Sequence, residues 1–556
     1  AFDAFHKSVW SGEWQESGYY MLALIASRRG DYQEALEYID KSIVKNYHNT
    51  KARNIKAVLL RNLEELDSAE EISKETIEID KLDFLSRNEL YYLYQLREQQ
   101  ELSSQFKEEL SKIMRDSYHN HLEAAIDYAS AGFYREAIEL LERYIDLLDG
   151  VNVYPLVYYY LAYYYLQQNK KEKAHNLFKK GEHTDPSYCF PNRLSTIPIL
   201  EKAMEMNPED SKAPYYLANL YYDKKQYNKA VDLWEKSSKL NGEFPTVFRN
   251  LALAYYNKYD QKEKARKTLE KAFELDKKDV RVLFELDQLY KNINVSYQVR
   301  LDFLEKYKEF LNDRDDLYIE YVTLYNNLGH YEKALDLLMA RNFHPWEGGE
   351  GKVTTQYVVS CREIARKAIN SSDYDRAISM LERAKTYPEN LGEGKLPIAF
   401  DNDLDYLMGS AYQKLGEENK ANEFFDKASV GSDAPGSMMF YNDQPADLIY
   451  YQGMALKQRC KIDLAEDKFK QLYSYGEKHL DDDVKIDYFA VSLPDFLVFD
   501  VDLNKKNKIH CHYLMGLELM GLGDYKGAII ELEKAHLLNK YHQGVLLHLK
   551  IAKDEK

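Results

Sequence analysis

Residues Ala213–Tyr256 read APYYLANLYYDKKQYNKAVDLWEKSSKLNGEFPTVFRNLALAYY, and their small residues decide the fold. Ala218 and Ala230 stand twelve positions apart across a polar break, and Ala252 follows Ala218 by 34 residues. The same spacing joins Ala23 to Ala35, Ala57 to Ala69, Ala125 to Ala137, Ala162 to Ala174 and Ala365 to Ala377. It also joins Gly409 to Ala421, Gly453 to Ala465 and Gly516 to Ala528, while Ala252 and Ala265 are one residue further apart. Gly30-Asp31-Tyr32 and Gly523-Asp524-Tyr525 fill the break in the first and last of these pairs. Seven residues after the second member another small residue often follows, as at Ser42, Ala272, Ala384, Ala428 and Ala535. Two antiparallel helices joined by a tight turn have this layout, with small side chains where their backbones come closest.

A period of 34 with these positions resembles the tetratricopeptide repeat. The resemblance implies an all-α, right-handed superhelical solenoid of about twelve helix-turn-helix repeats, each packing only on its neighbours. Residues 84–115 and 281–312 fit the period poorly, but are Leu/Tyr-rich at helical spacing and are expected to fill two slots of the array. Five segments are expected: repeats over 1–186, an irregular interruption at 187–198, central repeats over 199–340, elaborated repeats over 341–540, and a capping helix over 541–556.

Composition narrows the function classes. There are 75 basic and 92 acidic residues, a formal charge of −17. No basic stripe is present, so neither nucleic acid nor an anionic membrane is an expected partner. Cys189, Cys361, Cys460 and Cys511 are far apart and form no CxxC, which reads as free thiols in a reducing, cytoplasmic setting. Val153–Leu166 (VYPLVYYYLAYYYL) is uncharged but too short to span a bilayer, and is expected to be a buried repeat helix. The chain opens on AFDAFHKSVW, an amphipathic turn that reads as the continuation of a longer protein.

The second half departs from the period at one kind of junction. Where 15 residues are expected between repeats, Arg341 to Ala365, Ala384 to Gly409, Ala428 to Gly453 and Leu472 to Gly516 span 24, 25, 25 and 44. The insertions lie at 341–352, 385–402, 429–446 and 476–507. Equivalent junctions of a solenoid share one rim, so this rim is either a specialised surface or a seal for the edge.

The first insertion places His344, Trp346, Glu347 and Glu350 beside three glycines, an imidazole, stacking face and carboxylate set that suits a sugar or cationic peptide group. The alternative is a rigid turn whose Trp packs on a neighbouring repeat. The sequence Met438–Pro445 and the longer insertion around Phe489–Phe499 are apolar and aromatic, and the run Phe489–Phe499 is expected to bury itself against the solenoid or another domain. His510-Cys511-His512 point about 100° apart on a helix and cannot converge on one metal. Asp401, Asp403 and Asp405 lack the Gly and Glu of a calcium loop, so Asn402 or Asp403 reads as a helix N-cap. No catalytic residue, metal site or cofactor is expected.

The 49 tyrosines are unusual. In the tetratricopeptide family the first helix of each repeat lines the concave groove. The resemblance carries that role to Tyr20, Tyr159, Tyr163, Tyr215, Asn219, Tyr222, Arg249, Tyr256, Tyr406, Tyr450 and Tyr513. Tyrosine combines an apolar face with a hydroxyl and suits recognition, although tyrosines also fill joints between repeats. The positions Tyr20/Leu24 and Asn54/Val58 lack the Lys and Asn of a chaperone-tail clamp.

The segments FHPWEGGEG, FYNDQP, AVSLPDFLVFD and NKIHCHYLMGL, in this order, resemble the repeat arm of large uncharacterised bacterial proteins that carry an N-terminal β-sandwich domain of unknown function. This implies an upstream β-domain related to mutarotase-like folds. Two functions follow as expectations. One is a non-catalytic scaffold that binds a protein or peptide partner, or its own upstream domain, through the Tyr-rich groove and apolar rim loops. The other is an accessory arm of a carbohydrate-active or sugar-binding protein, with the His344–Glu350 loop bordering the ligand.

Overall fold

The structure, a computed structural model, describes residues 1–346, 348–396, 399–432, 434–437, 444–485 and 498–555. Among the described residues all regular structure is helical, and the chain forms two compact units, Ala1–Val247 and Phe248–Lys556.

In the first unit the helices pair as Gln15–Arg29 with Tyr32–Lys45, Thr50–Asn62 with Leu66–Ile79, and Phe84–Leu96 with Gln100–Met114. Tyr118–Ser130 then pairs with Tyr134–Leu147, Pro155–Gln167 with Lys171–His183, and Lys212–Asp223 with Tyr227–Leu240. Helix Thr196–Met206 stands alone before the last pair. The second unit continues with Lys262–Leu275, which follows Pro245–Tyr259, and with Val280–Asn292 and Tyr297–Lys306. Next come Asp315–Asn327 with Tyr331–Met339, Lys352–Asn370 with Tyr374–Ala384, and Asn402–Lys414 with Glu418–Ala428. Ala446–Gln458 with Ile462–His479, Leu503–Leu522 with Tyr525–Leu538, and a closing helix Gln543–Asp554 complete it.

Small residues explain why these helices pair. Both members of each Ala/Ala pair named above have no exposed surface. A Cβ added to Gly409, Gly453 or Gly516 would lie 2.7, 2.4 or 2.7 Å from Phe425, Phe469 or Leu532, so the glycine hydrogen is what admits the facing side chain. The turn between the helices needs one residue in the left-handed region. Gly30 and Gly523 supply it at φ 86° and 85°, while Asn169, Lys225 and Cys460 adopt it despite a side chain. Replacing Ala218 with Leu is expected to overpack a filled crossing and cost about 1–3 kcal/mol, which urea denaturation will read.

Three hairpins build the crossing differently. In Phe84–Leu96/Gln100–Met114 the buried Ser103 hydroxyl donates to the Tyr91 carbonyl at 3.2 Å. In Asp315–Asn327/Tyr331–Met339, a hairpin the spacing does not mark, Val322 and Ala334 are both fully buried. In Val280–Asn292/Tyr297–Lys306 an ion pair takes the place of small residues: Arg300 and Asp287 meet at 2.6 Å with side chains 1% and 0% exposed.

The N-cap reading shifts by one residue. Helix Asn402–Lys414 is preceded by Asp401, whose carboxylate binds Lys395 at 2.6 Å, while the Asn402 amide donates to the carbonyls of Ala428 and Val430. The lone pattern at the C-terminus buries Val545, Leu549 and Ala552 against the last hairpins and so covers their apolar end.

Candidate functional site

In the first unit successive hairpins share a buried polar network. Arg61 donates to Glu89 at 2.6 Å and to Glu136 at 2.8 Å, and the Tyr128 hydroxyl donates to Glu89 at 2.6 Å. Asn88 donates to the same hydroxyl at 2.9 Å and accepts from Arg143 at 2.8 Å. Buried charges of this kind persist because each is paired and hydrogen-bonded. Asn54 is occupied likewise, donating to Asp83 at 2.8 Å.

The expected recognition residues of this unit divide by exposure. Tyr159 is fully buried, and its hydroxyl donates to Asp210 at 2.8 Å. Burial pushes the Asp210 carboxyl up to about 6, against the amides of Ala213 and Lys212 that hold it down. Tyr215 is buried against Tyr216 and Phe244. Asn219 accepts from the Trp234 indole at 3.0 Å, and Tyr222 packs on Tyr227 and Trp234. Tyr20 and Tyr163 keep part of their surface. Tyr163 lines an open recess of about 420 Å³ with Leu166, Lys171, Pro198, Lys202 and Glu205.

In the second unit the corresponding residues face other parts of the same unit. Arg249 makes a two-pronged ion pair with Glu285, at 2.7 and 2.5 Å. Tyr256 packs on Phe499 with ring centroids 4.9 Å apart, and Phe499 is itself buried. Tyr406 contacts Phe425 and Tyr451. Tyr450 and Tyr513 are buried around His548 of the closing helix, with the Tyr513 hydroxyl 3.0 Å from its Nδ1. Sequence periodicity placed these side chains on first helices, but it carries no signal for what covers them.

The rim loop is stitched from several sides. Arg341 binds Asp315 and stacks on Tyr318 and Phe343, at 4.8 and 5.6 Å from the ring centroids. The Phe343 amide donates to the Asn390 carbonyl at 2.8 Å, and the Asn390 side chain donates to the carbonyls of Leu338 and Arg341. The Gly351 amide donates to Glu393 at 2.9 Å. The first insertion is thus tied to the second. The His344 imidazole is 88% exposed, and its backbone amide donates to Asp315 at 2.9 Å. The half-buried Trp346 ring covers Gly349, where a Cβ would fall 2.0 Å from it. Glu350 is half-buried, and Glu347 lies outside the described residues, as do Met438–Asp443 and Ile486–Leu497.

His510, Cys511 and His512 face separate surroundings. His510 Nε2 is 2.9 Å from the Gly436 carbonyl, Cys511 is buried, and His512 Nδ1 is 2.7 Å from Glu531. No group of three or more His, Cys, Asp or Glu suited to a metal occurs among the described residues.

Two imidazoles at the closing helix give a pH prediction. Burial lowers His548 to about 3, with Arg366 and Arg362 pressing the same way and the Gly544 carbonyl and Glu363 opposing. The rings of Tyr450, Tyr451 and Tyr513 also face it. Burial lowers His542 to about 4, with His510 and Lys506 adding to the effect. The Tyr513 ring faces His542, whose Nδ1 accepts the Val545 amide at 3.1 Å and caps the helix. Both groups have the ordinary value of 6.5 in the unfolded chain, so unfolding takes up protons below that pH. Their stabilising effect is complete above 6.5 and declines as pH falls from there towards 3. Amide exchange over Val545–Leu549 should therefore quicken between about pH 7 and pH 5, beyond the intrinsic change, and His548→Gln should flatten that dependence.

A tetratricopeptide repeat family model matches residues 20–81 and 122–188. The family model of anaphase-promoting complex, cyclosome, subunit 3 matches residues 195–272. Both stretches of the first match fold as the paired helices that this family model describes, and helical hairpins of the same layout continue beyond them in both units. Among solved structures the chain is similar to yeast Tom70, at 14% identity over 91% of this chain and 95% of that one, with a TM-score of 0.29. It is similar also to the APC/C hetero-tetramer Cut9–Hcn1, at 11% identity over 97% and 96% and a TM-score of 0.25. A third similarity is to Naa15/Naa10 bound to HypK-THB, at 13% identity over 97% and 96% and a TM-score of 0.21. No helix among the described residues is long and apolar enough to cross a membrane.

Proposed function

We propose that this chain is a non-catalytic protein-interaction scaffold. The observation that carries the reading is the open recess at Tyr163 in the first unit. There an aromatic recognition position keeps surface beside Leu166 and Pro198, with Lys171, Lys202, Glu201 and Glu205 at its edge. A mixed lining of apolar side chains and charges of both signs suits a protein segment that presents apolar and polar side chains together. Tyr20 is a second partly open position on a first helix of the same unit. The resemblance to large bacterial proteins makes an upstream domain of the same polypeptide the first partner to try, in a cytoplasmic setting.

Calorimetry of this chain with the separately expressed upstream domain tests the reading. Binding is expected, and Tyr163→Ala should weaken it about tenfold, as truncation of an aromatic anchor does. Absence of binding to that domain and to every protein recovered by crosslinking would end the proposal. A structural role suits the His344–Glu350 loop better than a sugar site. The Trp346 ring is spent on Gly349, and the backbone around it is held by Asp315, Asn390 and Glu393.

A further inference from the structure

We infer that the unit Phe248–Lys556 holds its own ligand in cis: two late segments, Val498–Asp500 and Lys540–Gln543, act as clasps on the face formed by its early first helices and turns. The first clasp is a paired backbone contact. Asn257 donates through Nδ2 to the Val498 carbonyl at 2.7 Å and accepts the Asp500 amide at 2.9 Å. One side-chain amide thus bonds both a carbonyl and an amide of the bend at Val498–Asp500 and fixes its backbone. Phe499, between them, is 2% exposed and packs on Tyr256, while Lys258 meets Asp500 at 2.9 Å.

The second clasp lies across the hairpins that follow. The Tyr297 hydroxyl donates to the Lys540 carbonyl, and the Tyr541 hydroxyl donates to the Val295 carbonyl. The two rings meet edge to face at 4.6 Å, and the Arg300 guanidinium lies 4.8 Å from the Tyr541 centroid. Two residues on, the Gln543 amide donates to Asn327 at 2.8 Å and its oxygen accepts from Gln356 at 2.9 Å. An aromatic anchor, a cation over its face and a complementary amide pair are specific recognition chemistry, not generic apolar packing.

The contacts join residues 187 to 246 positions apart, whereas a solenoid otherwise contacts its sequence neighbours. Their loss is therefore separable from the fold of any hairpin. The consequence is that a partner reaching this face must displace the clasp, and the chemistry that competes is a peptide presenting a tyrosine and, two residues on, a glutamine. The inference is independent of the scaffold reading, which is judged by calorimetry of the chain with the upstream domain and by Tyr163→Ala in the other unit.

Hydrogen exchange on the full chain tests it. Tyr541→Ala with Gln543→Ala should quicken exchange about tenfold over 293–300 and around 327 and 356, a local opening, while helices Ala446–Gln458 and Leu503–Leu522 keep their protection. The receiving-side variant Asn327→Ala leaves the clasp sequence intact and should quicken exchange over 541–546. Unchanged exchange at 293–300, or a rise spread evenly over every hairpin of the unit, would overturn the inference. So would an Asn327→Ala variant whose exchange at 541–546 matches the parent.

Discussion

Arg300→Met is expected to cost the unit Phe248–Lys556 about 3–5 kcal/mol, the loss that follows when one partner of a buried ion pair is removed. The guanidinium reaches Asp287 with two parallel hydrogen bonds, at 2.9 and 2.6 Å, and Glu320 with a third at 3.1 Å. Without it the fully buried Asp287 carboxylate faces Glu320, with Gln288 at 3.4 Å and the more distant Lys291 charge left to offset the burial. Burial pushes the Glu320 carboxyl up, but Lys291 and Arg300 outweigh it and hold it at about 2. Removing Arg300 leaves Lys291, at 2.6 Å, to stabilise that charge alone. Arg300→Met combined with Asp287→Leu should recover much of the loss, because an apolar pair of similar volume needs no desolvation of charge. Scanning calorimetry on both variants separates the outcomes. Equal losses in the single and double variants would mean that packing, not charge, sets the cost.

This site also shows what the sequence can and cannot convey. Crossings made by Ala and Gly are legible because backbone approach imposes a residue type at a fixed interval, and every such pair is buried where the interval puts it. Asp287 and Arg300 solve the same packing problem with length and charge, so size-based spacing passes over them. Val322 replaces the first small residue of another hairpin and hides it in the same way. Among recognition positions, periodicity identified side chains on first helices but not their partners. Tyr256 meets Phe499 from 243 residues away, and nothing local to either residue encodes that encounter. Tyr513 and Tyr450 meet His548 for a similar reason: the closing helix reads as a cap, yet it carries an imidazole into the tyrosine cluster. In the second unit these first-helix tyrosines are thus engaged by later parts of the chain itself.

Phe469→Ala is expected to destabilise the last hairpins by about 3–5 kcal/mol, the range for deleting a buried aromatic ring. The ring is fully buried and is held between two helices that approach only because of glycine. A Cβ on Gly453 would lie 2.4 Å from it on one side, and a Cβ on Gly521 would lie 2.4 Å from it on the other. Tyr450 closes a further side, with ring centroids 6.1 Å apart. Neighbouring helices cannot collapse onto the vacated space without breaking their own contacts, so a cavity persists and adds to the lost transfer energy. The glycines supply the control. In an exposed helix, Gly→Ala gains about 1 kcal/mol of propensity. Gly453→Ala should instead lose about 1–3 kcal/mol, because its methyl group overpacks a ring that has nowhere to go. Joined to Phe469→Ala, the same methyl group enters the cavity, and the pair should cost less than the sum of its parts. Strict additivity in that cycle, read from urea midpoints, would mean that Gly453 is small for some reason other than Phe469. A less-than-additive cost would tie the twelve-residue spacing of small residues to the bulk of the side chain that each one faces.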